Sequence, residues 1–405
     1  MDCNTPSDEK LIRIYETNGL FATIIDTPAD EALRTGFTIE GIKDRSIVDY
    51  CMDELEYLGW EDLAANAIRW SRLLGGALAV LLVNDGRGID EPLDIKNARS
   101  IDAIRLYDRS LVQPNTVIHP NATPETTEPE YFDVFSKYGT FRVHASRCLI
   151  FRNSVLPENT TSAQYKLWGI PEYTRIAQSL LNTELAYSNA LRLLNAAGQG
   201  VYKMKDLGAK SATEEGYAQI KQQMELIDLT RGMLNSIAID GDEKYSFFPV
   251  SFSGVADVIA AAQNHLSAVT RIPQIVLFGT KTVGFWDLDV VSLENWYNYV
   301  GAIQAKMVKK NLCRILTIIL QCGINQGTIH DLKPFKIFFT SLWSMSELET
   351  AKATHTRAAT QLKRAEAAQT YVNIRAIFPA EVRRGLAKDS DFDIAALIDK
   401  EDILT

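Results

Sequence analysis

Apolar residues recur at helical spacing over 51–74, CMDELEYLGWEDLAANAIRWSRLL, where Leu55, Leu58, Leu63, Ala67, Trp70 and Leu74 share one face. That period predicts a helix, and Gly75 and Gly76 end it. The run ALAVLLV at 77–83 is apolar throughout and predicts a buried strand, closed by the turn signal Asn84-Asp85-Gly86. Short strands follow at 104–112, 131–135 and 141–151, the last two as a hairpin around Lys137-Tyr138-Gly139. Between them, 113–130 holds four of the 13 prolines and reads as a loop. Upstream, the first 50 residues are mixed, with a loop-like DTPADEALRTG.

From 171 the period is helical again, with Pro171 placed in a first turn and glycines at 198 and 200 as the stop. A strand at 201–207, a helix at 211–235 and two strands, 236–240 and 245–250, flanking Gly241-Asp242-Glu243-Lys244 come next. A helix over 252–272 ends at Pro273. The two helices 171–197 and 253–271 therefore bracket a small β-containing insert of about 55 residues, a helical hairpin with a small domain at its tip. The apolar PQIVLFG leads into the loop TKTVGFWDLD and then a helix over 292–323. A strand at 332–343 and a last helix at 346–373 complete the chain, the latter with Ser346 and Glu349 spaced as a capping box. The fold class is α+β.

Composition narrows the classes. The chain has 405 residues, 46% of them apolar, and a formal net charge of −9. Collagen-like and wholly disordered chains are excluded, and so is a protein that coats nucleic acid through net positive charge. The longest apolar stretch, Leu73–Val83, has 11 residues, against about 20 for a membrane span, so no membrane association is expected. The polar, acidic start is unlike a signal peptide. The five cysteines, Cys3, Cys51, Cys148, Cys313 and Cys322, have no C-x-x-C spacing. Disulfides and zinc are not expected, and a reducing compartment fits.

The chemistry-bearing candidates are few. Phosphate-loop, dinucleotide, nucleophile-elbow and zincin motifs are missing from the sequence, and no catalytic residue, cofactor or metal is expected. His144-Ala145-Ser146 matches the H-x-[ST] element of two-histidine phosphodiesterases, which act in pairs as general acid and base. His265-Leu266-Ser267 is a formal second copy, but within a predicted helix. The alternative function is therefore a cyclic-oligonucleotide phosphodiesterase. Asp240, Asp242 and Glu243 gather three carboxylates in a turn, a cation site or a solvated hairpin. Asp287 and Asp289 suit a helix N-terminus. In the loop before them, Lys281 and Thr282 stand beside Val283, Phe285 and Trp286. Lys281 can touch phosphates while the apolar side chains meet a groove; the same rings can equally brace the next helix.

Several segments, in order over about residues 50–350, carry a family likeness. SRLLGGALAVLLVNDG, VHASRCLIFRNSVLP, WGIPEYTRIAQSL, IAIDGDEKYSFFPVSFSGVADVI, IPQIVLFG and ENWYNYVGAIQ resemble blocks of the portal proteins of tailed bacteriophages and prophages. The resemblance implies a ring, usually of twelve subunits, at one capsid vertex of the virion, assembled in the host cytoplasm. It implies a non-enzymatic conduit for packaging and ejecting double-stranded DNA. The implied partners are the terminase large subunit, a head-tail adaptor and the major capsid protein or scaffold. It divides the chain into a wing (1–170), stem helix one (171–199), clip (200–252), stem helix two (253–272), tunnel-loop region (273–291), long wing helix and strand (292–345) and a short helical crown (346–405). Lys281, Thr282, Val283, Phe285 and Trp286 would then face the DNA channel, and Asp240, Asp242 and Glu243 the motor. The stretch TKTVGFWDLDVVSLEN departs from the family's Gly- and Ser-rich pattern after Leu-Phe-Gly.

Overall fold

In the computed structural model, the described residues are 6–115, 129–137, 139–155, 167–196, 200–203, 208, 212–234, 244–247, 253–279, 286–330, 334–343, 347–374, 378 and 382. The chain forms two compact units, Met1–Leu342 and Trp343–Thr405. The second contains one long helix, Glu347–Asn373. Ser346, the expected cap, lies outside the described residues.

The core of the first unit is built on helices α1 (Asp8–Thr17), α2 (Gly19–Leu33), α3 (Arg45–Tyr57) and α4 (Trp60–Leu74). Two sequence expectations need correction here. The single helix over 51–74 is two helices, because Gly59 takes a left-handed backbone at φ +63° and breaks the run. The loop-like 26–36 is largely the end of α2, with Pro28 inside the helix. Proline has no N–H for the carbonyl of Ile24, four residues back. The guanidinium of Arg72, from α4, donates to that carbonyl at 3.1 Å instead.

Strand β2 (Gly76–Asn84) is the centre of an antiparallel sheet with β3 (Ser100–Asp108) and β7 (Cys148–Arg152), in the order β3-β2-β7. Its register sets Leu81 against Ile104 and Ala79 against Leu149. Both faces are covered, which is why the strand reads as one apolar run. Ala77, Ala79, Leu81 and Val83 join the main core. Leu78 and Val80 join Val112, Phe132, Val134, Val143, Cys148 and Trp168 in a second, smaller core. That second core lies under β4 (Val112–Asn115), β5 (Tyr131–Ser136) and β6 (Gly139–His144), a sheet in the order β4-β5-β6. The expected strands 104–112 and 141–151 are each split by a 3-10 turn, Arg109–Leu111 and Ala145–Arg147, and their halves belong to different sheets.

Helix α5 (Tyr173–Ala196) packs on α7 (Val255–Thr270). Thr183 Oγ1 donates to Ala262 O at 3.3 Å, and Gln263 Nε2 donates to Tyr187 Oη. Between these helices in sequence lie β8 (Gly200–Lys203), α6 (Glu214–Leu234) and β9 (Lys244–Phe247). β9 pairs antiparallel with β8, Tyr202 opposite Tyr245. The expected strand 236–240 and its turn lie outside the described residues.

After the short α8 (Gln274–Leu277), the long helix begins at Trp286, six residues earlier than its period predicts. It runs as α9 (Trp286–Ile303), a π-helical turn at Gln304–Val308, and α10 (Lys309–Asn325). Leu312, Ile315, Leu316, Ile319 and Leu320 bury its inner face in the main core. Strand β10 (Lys336–Phe339) returns to pair with β1 (Phe37–Glu40), Ile39 opposite Ile337.

Candidate functional site

Of the expected channel residues, Lys281, Thr282, Val283 and Phe285 lie outside the described residues, as do Asp240, Asp242 and Glu243. Trp286 is placed, as the first residue of α9. It opens a helix rather than sitting in a loop, so the segment between α8 and α9 ends earlier than the expected loop 280–290. Asp287 and Asp289 fall in the first turn of α9, where negative charge suits the helix dipole.

The junction holding the α5–α7 hairpin and the long helix to the body is fully described. Arg72, 1% exposed, is its centre. Its Nη1 donates to Tyr299 Oη at 2.8 Å and lies 3.7 Å from Glu172, just before α5. Asn153 Nδ2 donates to Ile170 O at 2.9 Å and to Glu172 Oε2 at 3.3 Å. Glycines permit this closeness. Gly75 has φ +97°, and a Cβ there would sit 2.1 Å from the Gly169 carbonyl oxygen; one on Gly76 would sit 2.2 Å from the Trp168 ring. The N–H groups of Gly169 and Asn153 both donate to Gly75 O, at 2.9 and 3.2 Å.

Beside the junction lies a cleft of about 610 Å³. Among the described residues, six cationic side chains line it, Arg72, Arg152, Arg271, Lys306, Lys310 and Arg314, and no Asp or Glu does. Lys306, Lys310 and Arg314 follow one another at four-residue steps across the π turn. The sequence reading missed them, although Lys306-x3-Lys310-x3-Arg314 is visible as an i, i+4, i+8 basic row. Arg271, at the end of α7, is the one non-glycine residue at positive φ among the described residues, at +62°. Its guanidinium lies over the Tyr299 ring at 5.7 Å. Arg314 donates to the carbonyl of Cys148 at 3.0 Å and to that of Ser146.

His144 and Ser146 of the first H-x-S element, and Ser267 of the second, make structural hydrogen bonds. His144 Nδ1 accepts the N–H of Ser146 at 3.1 Å, capping the 3-10 turn, and lies 2.8 Å from Ser146 Oγ. Ser146 Oγ in turn accepts the N–H of Leu93 at 2.7 Å. His265 is exposed on α7, and Ser267 Oγ donates to Ile272 O at that helix's end. The geometry lends the phosphodiesterase alternative no support. Among the described residues no group of His, Cys, Asp and Glu is arranged to hold a metal ion. Burial pushes the thiols of Cys51 and Cys148 up to about 12 and that of Cys322 up to about 11, so these three are protonated and unreactive at neutral pH. No helix among the described residues is long and apolar enough to cross a membrane.

A mixed α/β body carrying a two-helix hairpin and one long broken helix is a portal-type architecture. The chain belongs to the phage portal protein family, whose family model matches residues 9–363. It is similar to the neck of an empty gene transfer agent (GTA) particle computed with C6 symmetry, with a TM-score of 0.50, 15% identity and coverage of 95% of this chain and 94% of that one. Among curated proteins it is 22% identical to the anti-CBASS protein Acb1 of Caulobacter sp. (strain RHG1) over 302 residues, 71% of this chain and 47% of that protein. It is also 22% identical to an uncharacterized protein of Haemophilus influenzae over 249 residues, 59% of this chain and 53% of the other. The chain thus spans about half the length of the curated relatives it matches.

Proposed function

We propose that this chain is the subunit of a ring of about twelve copies at one capsid vertex, through which double-stranded DNA is packaged and ejected. The observation that carries the reading is membership of the phage portal protein family over residues 9–363. The exposed leucines of α5 and the net charge of −9 support it. An acidic conduit holds a phosphate backbone weakly and lets it slide. We read the chain as working without catalysis of its own, since His144 is engaged in capping a 3-10 turn and Ser267 in a bond to Ile272 O. The segment from Lys281 to Trp286 faces the channel, and the segment bearing Asp240, Asp242 and Glu243 docks the terminase large subunit and later the head-tail adaptor. Capsid protein or scaffold surrounds the ring, which forms in the host cytoplasm and ends in the virion.

The test is the mass of the purified protein by native mass spectrometry, with negative-stain images of the same sample. A ring of about twelve subunits with a central hole is expected. A defined assembly far from twelve under several conditions would overturn the reading.

A further inference from the structure

We infer that the basic cleft at the π turn is a phosphate-binding site. Its cations lack counter-charges, Arg314 donating to main-chain carbonyls and Arg271 lying over the Tyr299 ring. Arg72 has Glu172 at 3.7 Å, but among the described residues Arg152, Arg271, Lys306, Lys310 and Arg314 have no carboxylate partner. Two buried donors in the lining, Arg72 Nε and Arg152 Nε, have no hydrogen-bond acceptor among the described residues. Burial holds the Arg314 guanidinium below its ordinary value, the direction expected of a cation left without a counter-charge.

Such an arrangement is costly unless it is filled. Like charges at i, i+4 destabilise a helix, and here two such steps follow one another in Lys306, Lys310 and Arg314. The local backbone is irregular at the same place, with a π turn at Gln304–Val308 and a left-handed Arg271. Both features concentrate at functional sites.

The number of charges selects the ligand class. One carboxylate would neutralise one of five unpaired cations. Phosphate groups carry more charge and more acceptor oxygens. Planar guanidiniums match their oxygens two at a time, and lysines meet them as point charges. The volume is that of an ordinary small-ligand site, and the row of cations at about 6 Å steps along the helix suits successive phosphates. Two sources share this chemistry, the DNA backbone and free polyphosphate. The inference leans on the proposed conduit only for the first of these.

The experiment titrates the full chain with pyrophosphate and, separately, with a short DNA duplex, at several salt concentrations. The variants are Lys306→Gln/Lys310→Gln, at exposed positions outside the core, and Lys306→Arg/Lys310→Arg. Wild-type protein is expected to bind pyrophosphate, and the Gln pair to lose about tenfold or more. The Arg pair should keep the binding. If the source is DNA, duplex binding falls in parallel and its salt slope becomes shallower by about two. Pyrophosphate binding without duplex binding assigns the site to free phosphate. Absence of pyrophosphate binding, binding indifferent to the Gln pair, or preference for a glutamate-rich peptide over pyrophosphate would each overturn the inference. Native masses of the same samples separate the two readings. A ring whose cleft ignores phosphate removes only the cleft, and a phosphate-binding chain that forms no ring removes only the conduit.

Discussion

Asp85 and Arg147 meet at 2.7 Å with neither side chain exposed. Hydrogen bonds to the remaining polar atoms offset the cost of burying such a pair, although among the described residues Arg147 Nη1 finds no acceptor. Asp85 accepts the N–H of Arg87 at 3.2 Å and that of Asp94 at 2.9 Å, and Arg147 Nε donates to Glu91 O at 2.9 Å. Burial alone would raise the Asp85 carboxyl. The Asp94 N–H, the Arg147 guanidinium and the Arg87 N–H outweigh it and hold the group below its ordinary value. A lowered folded value means stability that is present above the unfolded carboxyl value of about 3.9 and lost as pH falls through the folded one. Asp85→Asn leaves Arg147 buried without its counter-charge and is expected to cost about 3–5 kcal/mol at pH 7. Urea unfolding from pH 7 downward checks this: the gap between wild type and variant should narrow below about pH 4. Equal stability at pH 7 would mean that the pair contributes nothing. The sequence showed Asp85 only as a turn residue, because Arg147 is 62 positions away and no local period links them. Likewise His144 was legible as an H-x-S histidine, but its use as a cap depends on the 3-10 turn that Ser146 closes.

Strongly periodic segments were the legible part at the scale of elements, and exceptions arose where a distant group repaired a local fault. α2 contains Pro28, a sequence signal for a break, yet the helix continues because Arg72 from α4 takes the freed Ile24 carbonyl. The long helix reaches back to Trp286, inside the segment that looked like a loop, and its π turn left no mark on the period. Gly75-Gly76 was legible as a helix stop, whereas its contact with Trp168 and Gly169 was not, since over 90 residues intervene. That contact makes a prediction. Gly75→Ala forces a side chain into a left-handed backbone, at about 1–2 kcal/mol. It also drives a methyl against the Gly169 carbonyl, at about 1–3 kcal/mol more. The midpoint of thermal unfolding should fall accordingly. Gly86→Ala is the control, a second left-handed glycine at φ +78° with open space around its Cβ position; it should lose only the backbone part. Equal losses would show that the close approach to Gly169 is unimportant.

The whole molecule is where the family likeness was most legible, because blocks such as SRLLGGALAVLLVNDG and WGIPEYTRIAQSL encode the packing of the glycine junction. The sequence could not show which faces are left bare. On α5, Thr183 and Tyr187 turn toward α7. At about 100° per residue, Leu181 and Leu185 fall on the opposite side, and they are 48% and 47% exposed. Two leucines one turn apart, facing away from α7, present apolar area that a lone subunit gains nothing by displaying. In a ring closed by a heterologous interface, one face of each subunit meets a different face of the next, and such a pair of leucines belongs at the seam. Leu181→Glu/Leu185→Glu is therefore expected to abolish the ring in native mass spectrometry while leaving circular dichroism and the unfolding midpoint of the subunit nearly unchanged, since surface changes of this kind cost within about 0.5 kcal/mol. A ring that persists in the double variant would place the seam elsewhere. A subunit that loses its fold would show that these leucines are covered within the chain itself.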